Sequence, residues 1–168
     1  AVDMLMRQHR LPGSTLVWKQ AYVDELEGVL NKRCREVFGE EYARVVKEEK
    51  IVKLMMNPEP KKDGRAKMRL LVKGFMEPKE WDTIKDSPTA LASTVKTLVA
   101  MGLLPDESVT DDVISVGDIS TAFLFAKEYG PDDKPRYVGY KAHNNASLRI
   151  FQLLGPLYGQ RDASHRWW

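Results

Sequence analysis

Cysteine is almost missing: Cys34 stands alone in 168 residues. An internal disulfide and a cysteine-based zinc site are therefore excluded, and Cys34 reads as a reduced intracellular thiol on a helix. Histidine is scarce as well. His9, His143 and His165 show no metal-ligand spacing and are assigned to surface or turn positions. No apolar run approaches the roughly 20 residues that a membrane span needs, and no signal peptide opens the chain, so neither a membrane nor a secreted location is expected. Internal repeats and low-complexity tracts are absent too. The net charge is only +2, which singles out no class of partner. Against these absences, 43% of the residues are hydrophobic and 30% charged, enough for a packed core and too much for global disorder. The length suits one domain or one and a half. The chain begins without Met and stops at Trp167-Trp168, where two large rings would be poorly covered, so it is expected to be a piece of a longer polypeptide.

Periodicity divides the chain. From Trp18 to Phe38 the apolar residues Tyr22, Leu26, Val29, Leu30, Val37 and Phe38 recur at helical spacing, with Gly39 as the stop. Residues 40–49 form a second, short helix with acids in its first turn. KIVKLMM (50–56) and KMRLLVKGFM (67–76) read as strands, joined by turn chemistry in NPEPKKDG (57–64) into a hairpin with a long tip. Ser87-Pro88 is a helix start, with Ser at the N-cap and Pro at the first helical position. Leu91, Val95, Leu98 and Val99 then line one face, and Gly102 ends that helix. An acidic loop follows over 103–112, then a buried strand, VISVGD (113–118). RYVGYKA (136–142) and LRIFQLL (148–154) form another hairpin around Asn144-Asn145, and Pro156 and Gly159 lead into a last helix. This order implies an α+β domain with a mainly antiparallel sheet.

Charge is uneven along the chain. Lys61, Lys62, Arg65, Lys67, Arg69 and Lys73 cluster on the first hairpin, opposed within that stretch only by Asp63, while five acids and no base lie between Asp106 and Asp118. A basic tip and an acidic strand end are the two halves that a metal–phosphate site needs. On charge alone, a solvated hairpin and a solvated loop account for the same pattern.

Four segments bear on that choice. KMRLLVKGF (67–75), DSPTA (86–90), VGDISTAFL (116–124) and LYGQRDASHRW (157–167) occur in this order. Together they resemble the reverse transcriptase domain of copia-type retrotransposons, over about residues 50–168. Before that the likeness is loose and rests on the Trp-Lys-Gln-Ala stretch that starts at Trp18. The resemblance implies a partial right-hand polymerase fold: a helical lead-in over 1–49, a fingers-like hairpin and helix over 50–112, and a partial palm over 113–168. It implies an RNA-directed DNA polymerase, a nucleotidyltransferase that adds deoxynucleotides to a primer by two-metal phosphoryl transfer. The partners would be an RNA or DNA template–primer, deoxynucleoside triphosphates and the rest of a Pol polyprotein. The location would be intracellular, in a cytoplasmic particle or the nucleus.

The resemblance also assigns residues. Asp118, alone among apolar neighbours, becomes the first catalytic carboxylate and holds magnesium or manganese together with the Ile119 carbonyl. Such ions take hard oxygen ligands and keep substrate phosphates in their shell. Small Ser120 and Thr121 let the triphosphate approach the backbone. Phe123 becomes the floor under the incoming sugar, although its pattern equally suits a core aromatic. Arg69 and the tip lysines Lys61 and Lys62 become the cations that grip the triphosphate, Arg bidentately and Lys as a mobile point charge. Tyr158 lines the nucleotide pocket, and Lys67, Lys73, Gln160 and Arg161 contact nucleic acid. For Tyr158, Gly159, Gln160 and Arg161 the alternative is structural, turning the chain from strand to helix.

Two departures stand out. The family's Tyr-x-Asp-Asp tetrapeptide does not occur in these residues, so the isolated chain is expected to be catalytically silent. Glycine-tyrosine-glutamine elements common before the Ser-Pro helix are replaced by MEPKEWDTIK (76–85). The alternative function is a non-catalytic nucleic-acid-binding or interaction module derived from such a polymerase.

Overall fold

The computed structural model describes residues 1–81, 92–102, 122–143 and 145–167. Its elements are α1 (Val2–His9), α2 (Thr15–Arg33), β1 (Cys34–Glu36), α3 (Gly39–Glu48), β2 (Ile51–Pro60), β3 (Ala66–Val72), α4 (Ala92–Gly102), β4 (Tyr137–Tyr140), β5 (Arg149–Leu153) and α5 (Ala163–Trp167). The strands form one sheet in the order β1-β5-β4-β2-β3. The pairs β1–β5, β5–β4 and β2–β3 are antiparallel, and β2–β4 is parallel. The class is α+β with a mainly antiparallel, mixed sheet. That sheet draws strands from each of the three segments marked in the sequence.

Tertiary pairing overrides local periodicity at the end of α2. Helical spacing runs on to Phe38, yet the helix stops at Arg33, because Cys34, Arg35 and Glu36 pair with Leu153, Gln152 and Phe151. Cys34 thus opens a strand instead of riding on a helix. Gly39 opens α3 with φ +58° rather than closing a helix. Phe38, counted with the apolar stripe, is 69% exposed.

The first hairpin is longer in strand and shorter in tip than its composition suggests. Residues 57–60 continue β2, and only Lys61–Arg65 make the turn. Proline fits inside this strand for a geometric reason. Lys61 N–H bonds to the Arg65 carbonyl, so strand alternation turns Pro60 and Pro58 away from β3. On their other side β4 pairs only with Ile51–Lys53, so neither proline removes a ladder bond.

Alternation also sorts the faces. Val52, Leu54, Met56, Met68, Leu70 and Val72 point to a core closed by Trp18 and Tyr22 of α2. On the opposite face Tyr137 and Ile150 pack with Val37 and with Val45 of α3. That second cover stops short of the hairpin's outer half. Among the described residues of α4, Val95, Leu98 and Val99 are exposed, and the helix ends at Gly102 as expected. Ser87-Pro88, the acidic loop and VISVGD lie outside the described residues.

Candidate functional site

The tip of the β2–β3 hairpin closes by its own chemistry. Gly64 takes φ +83° and donates its N–H to the Lys61 carbonyl at 3.0 Å. Asp63 accepts from Arg65 N (3.1 Å) and Arg65 Nε (2.7 Å). That hydrogen bond from the Arg65 guanidinium holds the Asp63 carboxyl below its ordinary range. Arg65 is thus engaged locally, while Lys62 is exposed.

Lys53, Asn57, Glu59, Lys67, Arg69 and Lys73 share the outward face by alternation. Arg69 sits opposite Asn57, and Lys67 opposite Glu59. Arg69 Nε lies 3.0 Å from Glu59 Oε1, and its guanidinium stands 5.4 Å from the Tyr158 ring centre. Lys61 Nζ lies 3.4 Å from Glu59 Oε2. Glu59 escaped the sequence reading because 57–64 looked like turn. A five-residue tip would have put it directly across from Lys67.

Two motifs far apart in sequence meet at the root of this hairpin. Val72 N–H donates to the Tyr158 carbonyl at 2.8 Å. A Cβ on Gly74 would stand 2.1 Å from the Gly159 carbonyl oxygen, and one on Gly159 (φ +87°) would stand 2.3 Å from that of Val72. Both positions need glycine, because backbone meets backbone there. The seam brings Tyr158 beside Arg69. It also blocks part of the exposed edge of β3, together with Glu25, whose Oε1 accepts from Leu70 N at 2.9 Å.

Beyond the seam, side chains turn inward. Gln160 is 6% exposed, and its Oε1 accepts from Leu157 N (2.7 Å) and Tyr129 Oη (3.2 Å). Arg161 donates from N and Nε to Glu77 Oε2 (3.3 and 3.1 Å), and from Nη2 to the Glu77 and Pro78 carbonyls. These contacts describe the structural alternative kept open for both residues. Glu77 belongs to the segment that replaces the family's glycine-tyrosine-glutamine elements, so that replacement anchors the Leu-Tyr-Gly turn. Asp162 is buried between Arg136 and Arg166, each with a nitrogen 2.9 Å from Oδ2. Arg166 also reaches Asp133 at 2.5 Å, and both guanidiniums lie over the Tyr129 ring. Burial raises the Tyr129 hydroxyl well above its ordinary pKa.

Asp118, Ile119, Ser120 and Thr121 lie outside the described residues. Phe123 falls within a short 3-10 turn, Ala122–Phe125. Among the described residues there is no cluster of three or more His, Cys, Asp or Glu that could hold a metal, and no helix is long and apolar enough to cross a membrane. Cys34 is buried, which pushes its thiol up to about 12 and leaves it unreactive at neutral pH. The chain matches no protein-family model, and comparisons with curated proteins and with solved structures likewise return no match.

Proposed function

We propose that the chain is the fingers and first part of the palm of an RNA-directed DNA polymerase of the copia type. One observation carries the reading. Two of the four motifs that suggest it, KMRLLVKGF and LYGQRDASHRW, interlock at Gly74 and Gly159 and stack Arg69 on Tyr158. A chance likeness of two short segments gives no reason for them to touch, still less for their shared residues to form one basic surface.

On this reading the residues divide the work by chemistry. Arg69 offers a planar fork for phosphate oxygens, kept near the site by the ring beneath it. Lys61 and Lys62 supply mobile charges at the tip, and Lys67 and Lys73 extend the positive face along the strands. Such contacts bind a nucleic-acid backbone by releasing its counterions, without reading sequence. Magnesium or manganese, when bound at Asp118 and the Ile119 carbonyl, would supply charge stabilisation of the transferred phosphoryl group. Gln160 and Arg161 shape the pocket wall instead of touching the ligand.

The test pairs binding with primer extension. A labelled RNA–DNA primer–template should bind the chain weakly and lose affinity steeply with salt. Neutralising Lys61, Lys62 and Lys67 to Gln should reduce the salt slope by about 2–3, since each phosphate contact contributes about 0.9. The chain alone should extend no primer. Joined to a segment carrying Tyr-x-Asp-Asp it should do so, and Asp118→Asn should abolish that activity. Salt-insensitive binding would remove the hairpin as a nucleic-acid surface. Binding without extension in the joined polypeptide would favour a non-catalytic module.

A further inference from the structure

The outward face of the hairpin carries a carboxylate among its cations. Glu59 Oε1 lies 3.0 Å from Arg69 Nε, Glu59 Oε2 lies 3.4 Å from Lys61 Nζ, and Glu59 faces Lys67 across the ladder. We propose that Glu59 is an internal competitor for the phosphate site: the free protein holds Arg69 and Lys61 on this carboxylate, and a phosphate-bearing ligand binds by displacing it. The inference rests on the reading of this face as a phosphate-binding surface.

Three features make displacement the natural outcome. A carboxylate oxygen and a phosphate oxygen are the same kind of acceptor for a guanidinium, so the two compete directly. The resting pair is also poorly seated. Arg69 Nε is buried and makes no hydrogen bond, although Glu59 Oε1 is close, so its N–H is not aimed at the carboxylate. Arg149 and Glu36 show what a well-seated pair looks like in this protein, with Nε and Nη2 each donating at 2.7 Å. Finally, the pair is only partly enclosed, with about a third of each side chain exposed, so solvent screens it and exchange costs little. When Glu59 leaves, Tyr158 still holds the Arg69 guanidinium at the site.

The consequence is selectivity by charge count. A lone phosphate offers too little to displace Glu59 from two cations, whereas neighbouring phosphates of a backbone or a triphosphate can engage both. Glu59 lowers affinity for all of these ligands and penalises the single phosphate most.

Binding of a labelled RNA–DNA primer–template at about 0.1 M salt tests this. Glu59→Gln keeps the side chain's shape, and affinity should rise about three- to tenfold. Glu59→Asp, which draws the charge back by one methylene, should fall between the two. The gain should disappear in an Arg69→Gln background. Asp63→Asn, whose carboxylate serves Arg65 at the exposed tip, should change affinity less than twofold. Tripolyphosphate as competitor then names the source. Stronger competition against the Glu59→Gln protein assigns the freed site to a triphosphate, and no competition with the duplex gain intact assigns it to the backbone. Inorganic phosphate should compete with neither protein. If Glu59→Gln binds like the wild type while wild-type binding is salt-dependent, displacement is wrong and the phosphate-surface reading stands. If the gain survives without Arg69, or Asp63→Asn reproduces it, a general charge effect replaces the proposal. If neither protein binds, the surface reading falls and the inference with it.

Discussion

Two groups of ion pairs lie on either side of the Gly74–Gly159 seam, and solvent treats them differently. On the hairpin, Arg69 and Glu59 are 33% and 29% exposed. Behind the seam, Arg136 and Asp162 are 3% and 1% exposed. The residue types match, but the consequences diverge. Water screens the first pair and can replace either partner, so it holds the fold weakly and is free to exchange. Behind the seam, no water compensates a lost partner. Asp162 answers to two arginines there, and Tyr129 covers both. An ion pair at a surface is therefore available for binding, whereas a buried one is committed to architecture.

The sharpest way to break this comparison is to remove one charge from each side. Asp162→Ala leaves Arg136 and Arg166 facing each other in a dry site and should cost about 3–5 kcal/mol in urea denaturation. Glu59→Gln should cost under about 1 kcal/mol in the same measurement. Equal losses would mean that burial does not separate the two groups.

The seam itself comes next. Gly159→Ala places a Cβ against the Val72 carbonyl and forces a side chain into φ +87°. Left-handed backbone costs about 1–2 kcal/mol and overpacking about 1–3, so a total near 2–4 kcal/mol is expected. Gly130→Ala is the control. Its nearest neighbour would be Asp133 Oδ2 at 3.8 Å, and the change should stay within about 0.5 kcal/mol. The seam variant should also bind primer–template less well, because Tyr158 no longer sits under Arg69. A Gly159→Ala protein as stable as the control would show that the two motifs merely adjoin.

Much of this arrangement was legible in the sequence, and the failures have a common cause. The two hairpins, α3 and the last helix follow from apolar alternation, helical spacing and turn residues, all local signals. The long reading of α2 failed because Val37 and Phe38 happen to continue a helical stripe while β5, over a hundred residues later, claims Cys34–Glu36 as a strand. Prolines 58 and 60 looked like turn because nothing local says which way their nitrogens face. The cation cluster was visible, but its counterions were not. Glu59 depends on hairpin register, and Glu77 depends on a contact with Arg161. The inward turn of Gln160 is set by Tyr129 and Leu157 together. Asp118 and its neighbours lie outside the described residues, so the link from motif to metal remains a proposal.

The smallest effect concerns a carboxylate between the two extremes. Glu25 reaches from α2 to the edge of β3, half-buried, with Leu70 N donating to Oε1 at 2.9 Å. Burial raises its pKa above the ordinary 4.5, outweighing the hydrogen bond and the attraction of Lys67 and Arg69, and Glu59 adds to the rise. The folded protein therefore keeps this proton to higher pH than the unfolded chain does. Its share of stability is fully present below about 4.5 and is lost as pH rises through the raised value. Glu36, Glu41 and Asp63 behave oppositely. Hydrogen bonds from Arg149, Arg35 and Arg65 hold them low, so their contributions are lost as pH falls. Comparison of wild type with Glu25→Gln cancels those terms. The glutamine oxygen still accepts from Leu70, so only the charge is removed. Melting temperatures should coincide below about pH 4 and separate above pH 5, with the variant slightly the more stable. A variant less stable than wild type at pH 7 would show that Lys67 and Arg69 outweigh burial. Glu25 would then belong with the exchangeable charges of the hairpin instead of the committed charges behind the seam.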